Sequence, residues 1–375
     1  MLKKLLLIIL ILDLFSNISC NNKKVYMIGI AEDQTTNIKA ISESLINGRN
    51  LAIQNINDSK LSFKFKLKVI DTANNPEKTA NAFRSLCDND KVDLLIGVPS
   101  IPCSQVAKYI ANNRKKVFIS EAFDETITKN VSYTLSFNQN PYSIGKYSAL
   151  YFFYILKKNK LAVFYDNSNQ SFLSQLKGFK GSISSGISVS EEPFDGRKEK
   201  KDFTSNFARI KGINPEVVFI IADPFLYSDI LLNAKQILGD SVLFVLNNTP
   251  DLEIIKNNNS FDNVYIISSF YESKNKFIES DFYKTYKSKF ESNPNFYNAL
   301  GFDEIVLIKE ILNNNLNFNS IDFVNKIKDM KFNDDIFVTG FKGFDSNGLA
   351  IKPIDILKII NGSISYIGEF HMEND

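Results

Sequence analysis

The sequence lacks tryptophan and has a single histidine, His371, among its 375 residues. One histidine cannot build a histidine-based metal cluster, and this one, close to the C-terminus, is a poor candidate for a catalytic base. The three cysteines form no CxxC pair, so no zinc or dithiol redox motif is present. We therefore expect neither a metal nor another cofactor.

An excess of charge of one sign is also missing. The 44 basic and 42 acidic side chains give a formal net charge of +2, and the lysines are scattered rather than gathered in a stripe. This pattern excludes nucleic acid as the expected partner. Hydrophobic residues make up 44% of the chain and charged residues 23%, which indicates a globular protein, and the length suits two domains.

The motifs of common enzyme classes are absent as well. No GxGxxG follows the first predicted strand, which leads instead into AEDQTTN (31–37). The glycines of GFKGSIS (178–184) do not have the spacing of a phosphate-binding loop, and GxSxG and HExxH do not occur. Together these absences favour binding over chemistry, and we predict that the protein is not an enzyme.

An apolar run opens the chain. Lys3 and Lys4 precede apolar residues 5–12, a run too short to span a bilayer. The layout is that of a secretory signal and resembles a bacterial lipoprotein signal, in which Cys20 is lipidated. The alternative is a plain cleaved signal with an incidental cysteine. We predict a signal segment over residues 1–20 and an extracytoplasmic body attached to the membrane by acyl chains.

The other two cysteines, Cys87 and Cys103, could pair outside the cytoplasm. Cys87 lies late in one predicted helix and Cys103 at the start of the next. The sequence does not place their Cα atoms within bridging distance, so a free, buried Cys87 is the other reading.

Strand and helix patterns alternate along the chain in two successive arrays, which predicts two doubly wound α/β lobes with parallel sheets. In the first array we predict strands over 24–30, 65–71, 92–98 and 116–120, and helices over 39–56, 77–88 and 102–113. In the second we predict strands over 161–166, 187–194, 216–222, 241–247 and 263–269, and a helix over 226–238. Helices over 277–291, 295–315 and 319–331 follow, and then a hairpin that turns at Asn361-Gly362.

A group of carboxylates follows one of these strands. In ISEAFDE (119–125), Glu121, Asp124 and Glu125 come directly after the predicted strand over 116–120. Ligands of open α/β sheets bind outside the carboxyl ends of the strands, so these side chains are candidates for a binding cleft. They could equally be solvated charges at its rim.

The order of elements resembles the type I periplasmic solute-binding proteins, specifically the leucine/isoleucine/valine-binding branch. The stretches that carry the resemblance are NGRNLAIQNIN (47–57), DTANNPEKTANAFRSL (71–86), KVDLLIGVPS (91–100), VFIS (117–120), DFTSNFARIKGINPEVVFI (202–220), YNALGFDEIVLIKEI (297–311) and GFDSNG (343–348). The resemblance implies two lobes joined by three crossing segments, near 138–142, 268–272 and 340–352, that close on a ligand like a Venus flytrap. It implies a first lobe of 24–139 plus 270–345 and a second lobe of 140–269 plus 350–375.

The resemblance also implies where a ligand would bind. The positions that match the family's ligand contacts are Ser100, Ile101, Ala122, Asp124, Gln170, Asp223 and Asn248. The helix that starts near Pro102 would offer backbone N–H groups to an anion. Several of these positions differ in chemistry from the family pattern; Asp124, for example, stands where the family has a threonine.

The acidic residues suggest a cationic or amine-bearing ligand, because charges in a partly closed cleft act in a lower dielectric than bulk water. The acidic set is Asp33, Glu121, Asp124 and Asp223. Hydrogen bonds could come from Gln34, Ser100, Gln170 and Asn248. Tyr227 and Phe123 could supply apolar walls, although each could equally be part of the core.

The predicted function is capture of a small polar ligand and its delivery to an ABC permease by a monomeric, lipid-anchored binding protein. The main alternative is a sensor or regulator of the cell envelope on the same fold. An envelope enzyme and a structural lipoprotein without a ligand are further alternatives.

Overall fold

The computed structural model describes residues 23–183, 186–198, 202–248, 258–314, 321–333 and 335–371. The predicted signal segment with Cys20 lies outside these residues. Among the helices that the structure describes, none is long and apolar enough to cross a membrane. Cys87 and Cys103 are both buried, and they do not form a disulfide bond.

The first sheet has five parallel strands in the order β2-β1-β3-β4-β5. The strands are β1 (Lys24–Glu32), β2 (Phe63–Asp71), β3 (Leu94–Gly97), β4 (Phe118–Ser120) and β5 (Thr134–Ser136). The helices that connect them are α1 (Lys39–Asp58), α2 (Pro76–Asp88) and α3 (Ile101–Asn113). Asn75 caps α2 by accepting a hydrogen bond from the Lys78 backbone N–H at 3.0 Å, and Pro76 occupies the first turn.

The second sheet has seven strands in the order β14-β13-β10-β9-β8-β6-β7. Its strands are β6 (Lys160–Asp166), β7 (Ser188–Phe194), β8 (Val217–Ile221), β9 (Leu243–Leu246), β10 (Tyr265–Ser268), β13 (Ile354–Ile360) and β14 (Ser363–Phe370). Its helices are α4 (Pro141–Tyr154), α5 (Gln170–Gly181), α6 (Thr204–Gly212) and α7 (Tyr227–Leu238). β13 and β14 run antiparallel and turn at Asn361-Gly362, whose φ angles of 50° and 70° suit the predicted two-residue hairpin.

Four helices and a small two-stranded sheet complete the structure. They are α8 (Asn275–Ile278), α9 (Asp281–Phe290), α10 (Phe296–Asn313), α11 (Ile321–Asp329), β11 (Gly343–Phe344) and β12 (Ala350–Ile351). α10 packs closely on α1. The helices are so close at Gly48 that a Cβ atom there would overlap the Asn298 carbonyl. In the second sheet's layer α4 packs on α5 in the same manner, with Gly145 against the Gln175 carbonyl.

Three connections link the two sheets, and polar contacts tie them together. The Gln139 amide, which follows β5, donates to the Lys352 and Pro353 carbonyls at 3.2 Å each. The buried Lys274 ammonium, which follows β10, pairs with Asp355 at 3.0 Å. These contacts join the three connections into one region between the two lobes.

Three of the differences between the structure and the predicted elements have a physical reason. β5 and α4 occupy a stretch in which only a crossing was predicted; α4 is buried on much of its surface and so lacks an amphipathic period. The helix predicted over 277–291 is divided, because Ser280 caps α9 by accepting from the Tyr283 N–H at 3.1 Å. β3 ends at Gly97, because Val98 takes a left-handed conformation with φ 64°.

Candidate functional site

The carboxyl ends of the parallel strands face each other across a cleft between the two lobes. On the first side, loops 98–100 and 121–125 follow β3 and β4. On the second side, α5 begins shortly after β6, while Asp223 and Asn248 follow β8 and β9. Two contacts bridge the cleft: the Ser174 hydroxyl donates to Glu125 Oε2 at 2.6 Å, and Phe123 packs against the core of the second lobe.

The loop after β3 is held in a strained conformation that leads into α3. Val98 is buried and has φ 64°, which a β-branched residue adopts only when its surroundings enforce it. The Ser104 hydroxyl donates to the Val98 carbonyl at 2.7 Å and lies 2.9 Å from the Ser120 hydroxyl. Ser100 is the N-cap of α3 without a side-chain capping hydrogen bond. The start of α3 therefore leaves the backbone N–H groups of Ile101 and Cys103 without an intrahelical acceptor, while Pro102 between them has no N–H.

The carboxylates after β4 have three different surroundings. Asp124 accepts hydrogen bonds from the Thr126 N–H and hydroxyl, both at 2.8 Å, and from the Gln105 amide at 3.1 Å. Glu125 contacts the second lobe, as described above. Glu121 is fully buried and pairs with Arg49 in the interior of the first lobe. The expectation that Glu121 lines an acidic cleft is therefore wrong, because buried Arg49 draws the side chain inward.

Asp33 and Gln34 lie at the carboxyl end of β1, where Asp33 stabilises its own loop. Its carboxylate accepts from the backbone N–H groups of Thr35 at 3.1 Å and Thr36 at 2.8 Å. Burial by itself would raise the pKa of Asp33, but these bonds and that of the Thr36 hydroxyl outweigh it, so the pKa is lowered. Gln34 is exposed, and its backbone N–H donates to Asp71 at 2.9 Å.

On the second side of the cleft, three predicted residues stand at the ends of strands or helices. Gln170 is the exposed first residue of α5, and Asn248 is also exposed. Asp223 precedes a short 3₁₀ helix (Pro224–Leu226), and burial, with the nearby charge of Asp166, raises its pKa. Asp223 thus stands near a second carboxyl group, that of buried Asp166 at the end of β6, which accepts from the Ser168 and Gly196 backbone N–H groups.

Beneath these residues lies a neutral hydrogen-bond network that was not predicted from the sequence. The Asn247 side-chain oxygen accepts from the Ala222 N–H and the Tyr227 hydroxyl, both at 2.9 Å. Its amide nitrogen donates to Gln175 at 3.2 Å. Tyr227 is fully buried, so it belongs to the core and does not form a wall of the cleft. Asn247 could have been noticed in the sequence by its position directly after the apolar strand β9.

A separate pocket of about 530 Å³ opens between the lobes beside the third connection. Its charged lining is Glu125, Lys129, Lys146, Lys177, Lys328 and Asp345. Of the residues that the sequence made candidates for the binding cleft, Glu125 lines this pocket, whereas none of the positions matched to the family's ligand contacts does. Among the residues that the structure describes, no group of three or more His, Cys, Asp or Glu side chains could hold a metal ion.

A family model described as "Periplasmic binding protein" matches residues 26–363. The chain belongs to this family. The periplasmic binding protein is therefore extracytoplasmic, and it is a binding protein rather than an enzyme, as predicted. The predicted resemblance to the periplasmic solute-binding proteins is confirmed. No curated protein sequence matches it.

Solved structures with the same fold cover nearly the whole periplasmic binding protein. The branched-chain amino acid substrate-binding protein LivJ of Streptococcus pneumoniae, in complex with isoleucine, is 20% identical (92% and 100% of the chains covered, TM-score 0.63). An ABC transporter substrate-binding protein of Desulfitobacterium hafniense, in complex with Leu, is 18% identical (92% and 100%, TM-score 0.68). A solute-binding protein of Rhodopseudomonas palustris, in complex with 3,4-dihydroxybenzoic acid, is 19% identical (92% and 97%, TM-score 0.63). These likenesses confirm the predicted fold of two α/β lobes with parallel sheets.

Proposed function

We propose that this periplasmic binding protein captures a small amino-acid-like or amine-bearing solute between its lobes and delivers it to an ABC importer. The observation that carries the proposal is the cleft, in which strand carboxyl ends of both lobes meet over an uncapped helix start. We infer a first lobe of 24–139 plus 270–345 and a second lobe of 140–269 plus 350–375. Closure about the three connections would trap the solute, which stabilises the closed state by bridging both lobes.

Each lobe would recognise one end of the ligand. Isoleucine, leucine and 3,4-dihydroxybenzoic acid, the ligands of the three solved complexes, all contain a carboxylate. In this protein the start of α3, with Ser100 and Ile101, is the group suited to a carboxylate. Asp223 is the group suited to an amine, because a positive charge placed beside it would favour its ionised form.

The remaining predicted contacts would complete the site around those two ends. Gln170 and Asn248 would donate or accept hydrogen bonds from the second lobe. Ala122 would line the site beside α3, where its N–H donates to Ser120 Oγ at 3.2 Å and its carbonyl accepts from the Asp124 N–H at 2.9 Å. Asp33, Gln34 and Asp124 would shape the rim, since the two carboxylates already accept hydrogen bonds from their own lobe. We further propose that Cys20 carries the lipid anchor and that the protein acts as a monomer.

A thermal-shift screen tests this function. The purified protein is heated with amino acids, polyamines, small peptides, amides, nucleosides and sugars. A ligand that binds only the folded state at a hundred times its Kd adds about 2.7 kcal/mol to the unfolding free energy and so raises the Tm. We expect a shift with amino acids or other amines.

A matched pair of variants tests the site. Asp223→Asn should reduce the shift caused by an amine-bearing ligand. Asp240→Asn, in the same lobe with an 88% exposed side chain, should leave that shift unchanged. An equal shift in both variants would contradict the role of Asp223. No shift with any compound would argue against solute capture and favour a regulatory or structural role.

A further inference from the structure

The most unusual feature outside the cleft is a group of charges in the interior of the first lobe. Arg49, on α1, contacts three glutamates: Nη1 lies 3.0 Å from Glu32, Nε lies 2.9 Å from Glu304, and Nη2 contacts Glu121. All four side chains have an exposed fraction of 0%. We call these four residues, with Asp303 and Lys352, the buried charge cluster.

The buried charge cluster contains more acids than bases. Four carboxyl groups, on Glu32, Glu121, Asp303 and Glu304, face two cations, Arg49 and Lys352, so full ionisation would leave a net charge of −2. Within the described part of the chain, Glu121 Oε2, Glu304 Oε1 and the Lys352 ammonium have no hydrogen-bond partner. Uncompensated charge is costly to bury, and such groups take up a proton instead.

The pKa values of the cluster agree with proton uptake near neutral pH. Burial raises the pKa of Glu304 from 4.5 to about 7, despite the opposing effect of Arg49. Burial likewise raises the pKa of Asp303 to about 6 and that of Glu32 above its ordinary value. Burial lowers the pKa of Lys352 to about 8, so this cation remains charged at neutral pH.

Two members of the cluster belong to, or hold, the loops of the cleft. Glu121 starts the loop after β4, and its carbonyl accepts from the Asn138 amide in the first connection at 2.9 Å. Glu32 lies directly under the loop after β3: a Cβ atom at Gly97 would be 2.9 Å from its Oε1, and the backbone N–H of the strained Val98 lowers the pKa that burial raises. Lys352 lies in the third connection, which the Gln139 amide also contacts. The cluster thus touches both loops of the first lobe and two of the three connections.

We propose that the buried charge cluster keeps at least one proton shared among its carboxyl groups, and that loss of this proton loosens the two cleft loops of the first lobe. Without the proton, repulsion between the carboxylates acts on Glu121 and, through Glu32, on Val98. Arg49 is then a positioning residue that holds both loops from below. If the loops bind a ligand, its affinity should fall as the pH rises and the loops loosen; this expectation rests on the proposed function. The loosening itself does not depend on the proposed function.

The sign of the pH effect follows from the raised pKa of Glu304. Between pH 4.5 and about 7 the folded state binds more protons than the unfolded state, so the cluster's contribution to stability falls as the pH rises through this window. The loops should lose protection over the same range. Above the raised pKa of Glu304, about 7, each further pH unit would lower the population of the protonated form about tenfold.

The test measures hydrogen–deuterium exchange of ligand-free protein from pH 5 to pH 8, corrected for the intrinsic exchange rate. We expect protection of peptides 97–104 and 119–126 to fall with rising pH, while peptides of the second lobe keep theirs. Glu304→Gln should weaken that dependence, because it removes one of the titrating carboxyl groups and leaves Asp303 and Glu32. Glu310→Gln, on the same helix with a 21% exposed side chain, should retain it.

A second measurement does not depend on the variants. Carbon-13 NMR of glutamate-labelled wild-type protein should show a carboxyl group that titrates well above pH 4.5. Uniformly ordinary glutamate titrations, or loop protection that ignores pH, would overturn the proposal. Because no ligand is added, these outcomes are independent of the thermal-shift screen.

Discussion

In each lobe two helices cross at glycines, Gly48 and Gly301 in the first and Gly145 and Gly178 in the second. Beneath the cleft loops the two lobes differ. The first places Arg49 among three buried glutamates, whereas the second joins Asn247, Tyr227 and Gln175 by neutral hydrogen bonds. Charges thus support the loops after β3 and β4 in the first lobe, whereas neutral groups join the ends of β8 and β9 in the second, where the buried carboxylate of Asp166 also accepts from the Ser168 and Gly196 N–H groups. We expect only the buried charge cluster of the first lobe to make loop order sensitive to pH.

Removal of Arg49 should have the largest effect. Arg49→Met leaves three carboxyl groups buried without their cation, and breaking a buried ion pair in this way costs about 3–5 kcal/mol. Urea unfolding at pH 7 measures the loss. Arg49→Lys should recover part of it, and Arg209→Met, at an exposed pair with Glu192, should change stability little. An Arg49→Met protein as stable as the wild type would remove the distinction between the lobes.

The glycine contacts should respond alike in both lobes. A Cβ atom at Gly48 or Gly145 meets the backbone of the facing helix, so each change to Ala should cost about 1–3 kcal/mol of unfolding free energy by overpacking. Gly212→Ala is the matched control, because a Cβ atom there meets nothing within 4 Å. Thermal and urea unfolding of the three variants would show whether the helix crossings are equivalent. A tolerated substitution in one lobe alone would break that part of the comparison.

Loss of the Tyr227 hydroxyl should have a smaller effect that does not depend on pH. Tyr227→Phe removes one hydrogen bond to Asn247, which contributes about 1 kcal/mol. Burial raises the pKa of Tyr227 well above 10, so the hydroxyl stays protonated throughout pH 5–8. Unfolding free energies across that range should shift by a constant amount relative to wild type. A shift that varies with pH would mean that the second lobe also contains a titrating network.

The smallest effect is expected where the lobes meet. Ser174→Ala removes the hydrogen bond to Glu125 across the cleft, and a net change within about 1 kcal/mol is expected. Small-angle X-ray scattering of ligand-free protein should show a larger radius of gyration, because the open state becomes more populated. Ser171→Ala, on the same helix, serves as the control. A radius unchanged by Ser174→Ala would show that this contact does not hold the lobes together.

The local structure and the fold could both be predicted from the amino-acid sequence. The apolar run VVFII (217–221) is a fully buried strand, Asn75 and Pro76 start α2, and Asn361-Gly362 forms the hairpin turn. Each signal lies within a few residues, because periodicity, capping and turn geometry are local properties of the chain. The order of these elements was enough to predict two lobes and a cleft at the strand ends.

The orientation of the charged side chains depends on tertiary contacts and could not be predicted from the sequence. Glu121 and Asp124 are three residues apart, yet one is buried against Arg49 and the other accepts hydrogen bonds beside the cleft. Arg49 and Glu304 are 255 residues apart, and no local pattern relates them. A buried carboxylate points toward the nearest hydrogen-bond donors or cations. For these residues, the packing of helices on the sheet places those donors and cations. The fold therefore followed from the sequence, while the buried charge cluster became visible only in three dimensions.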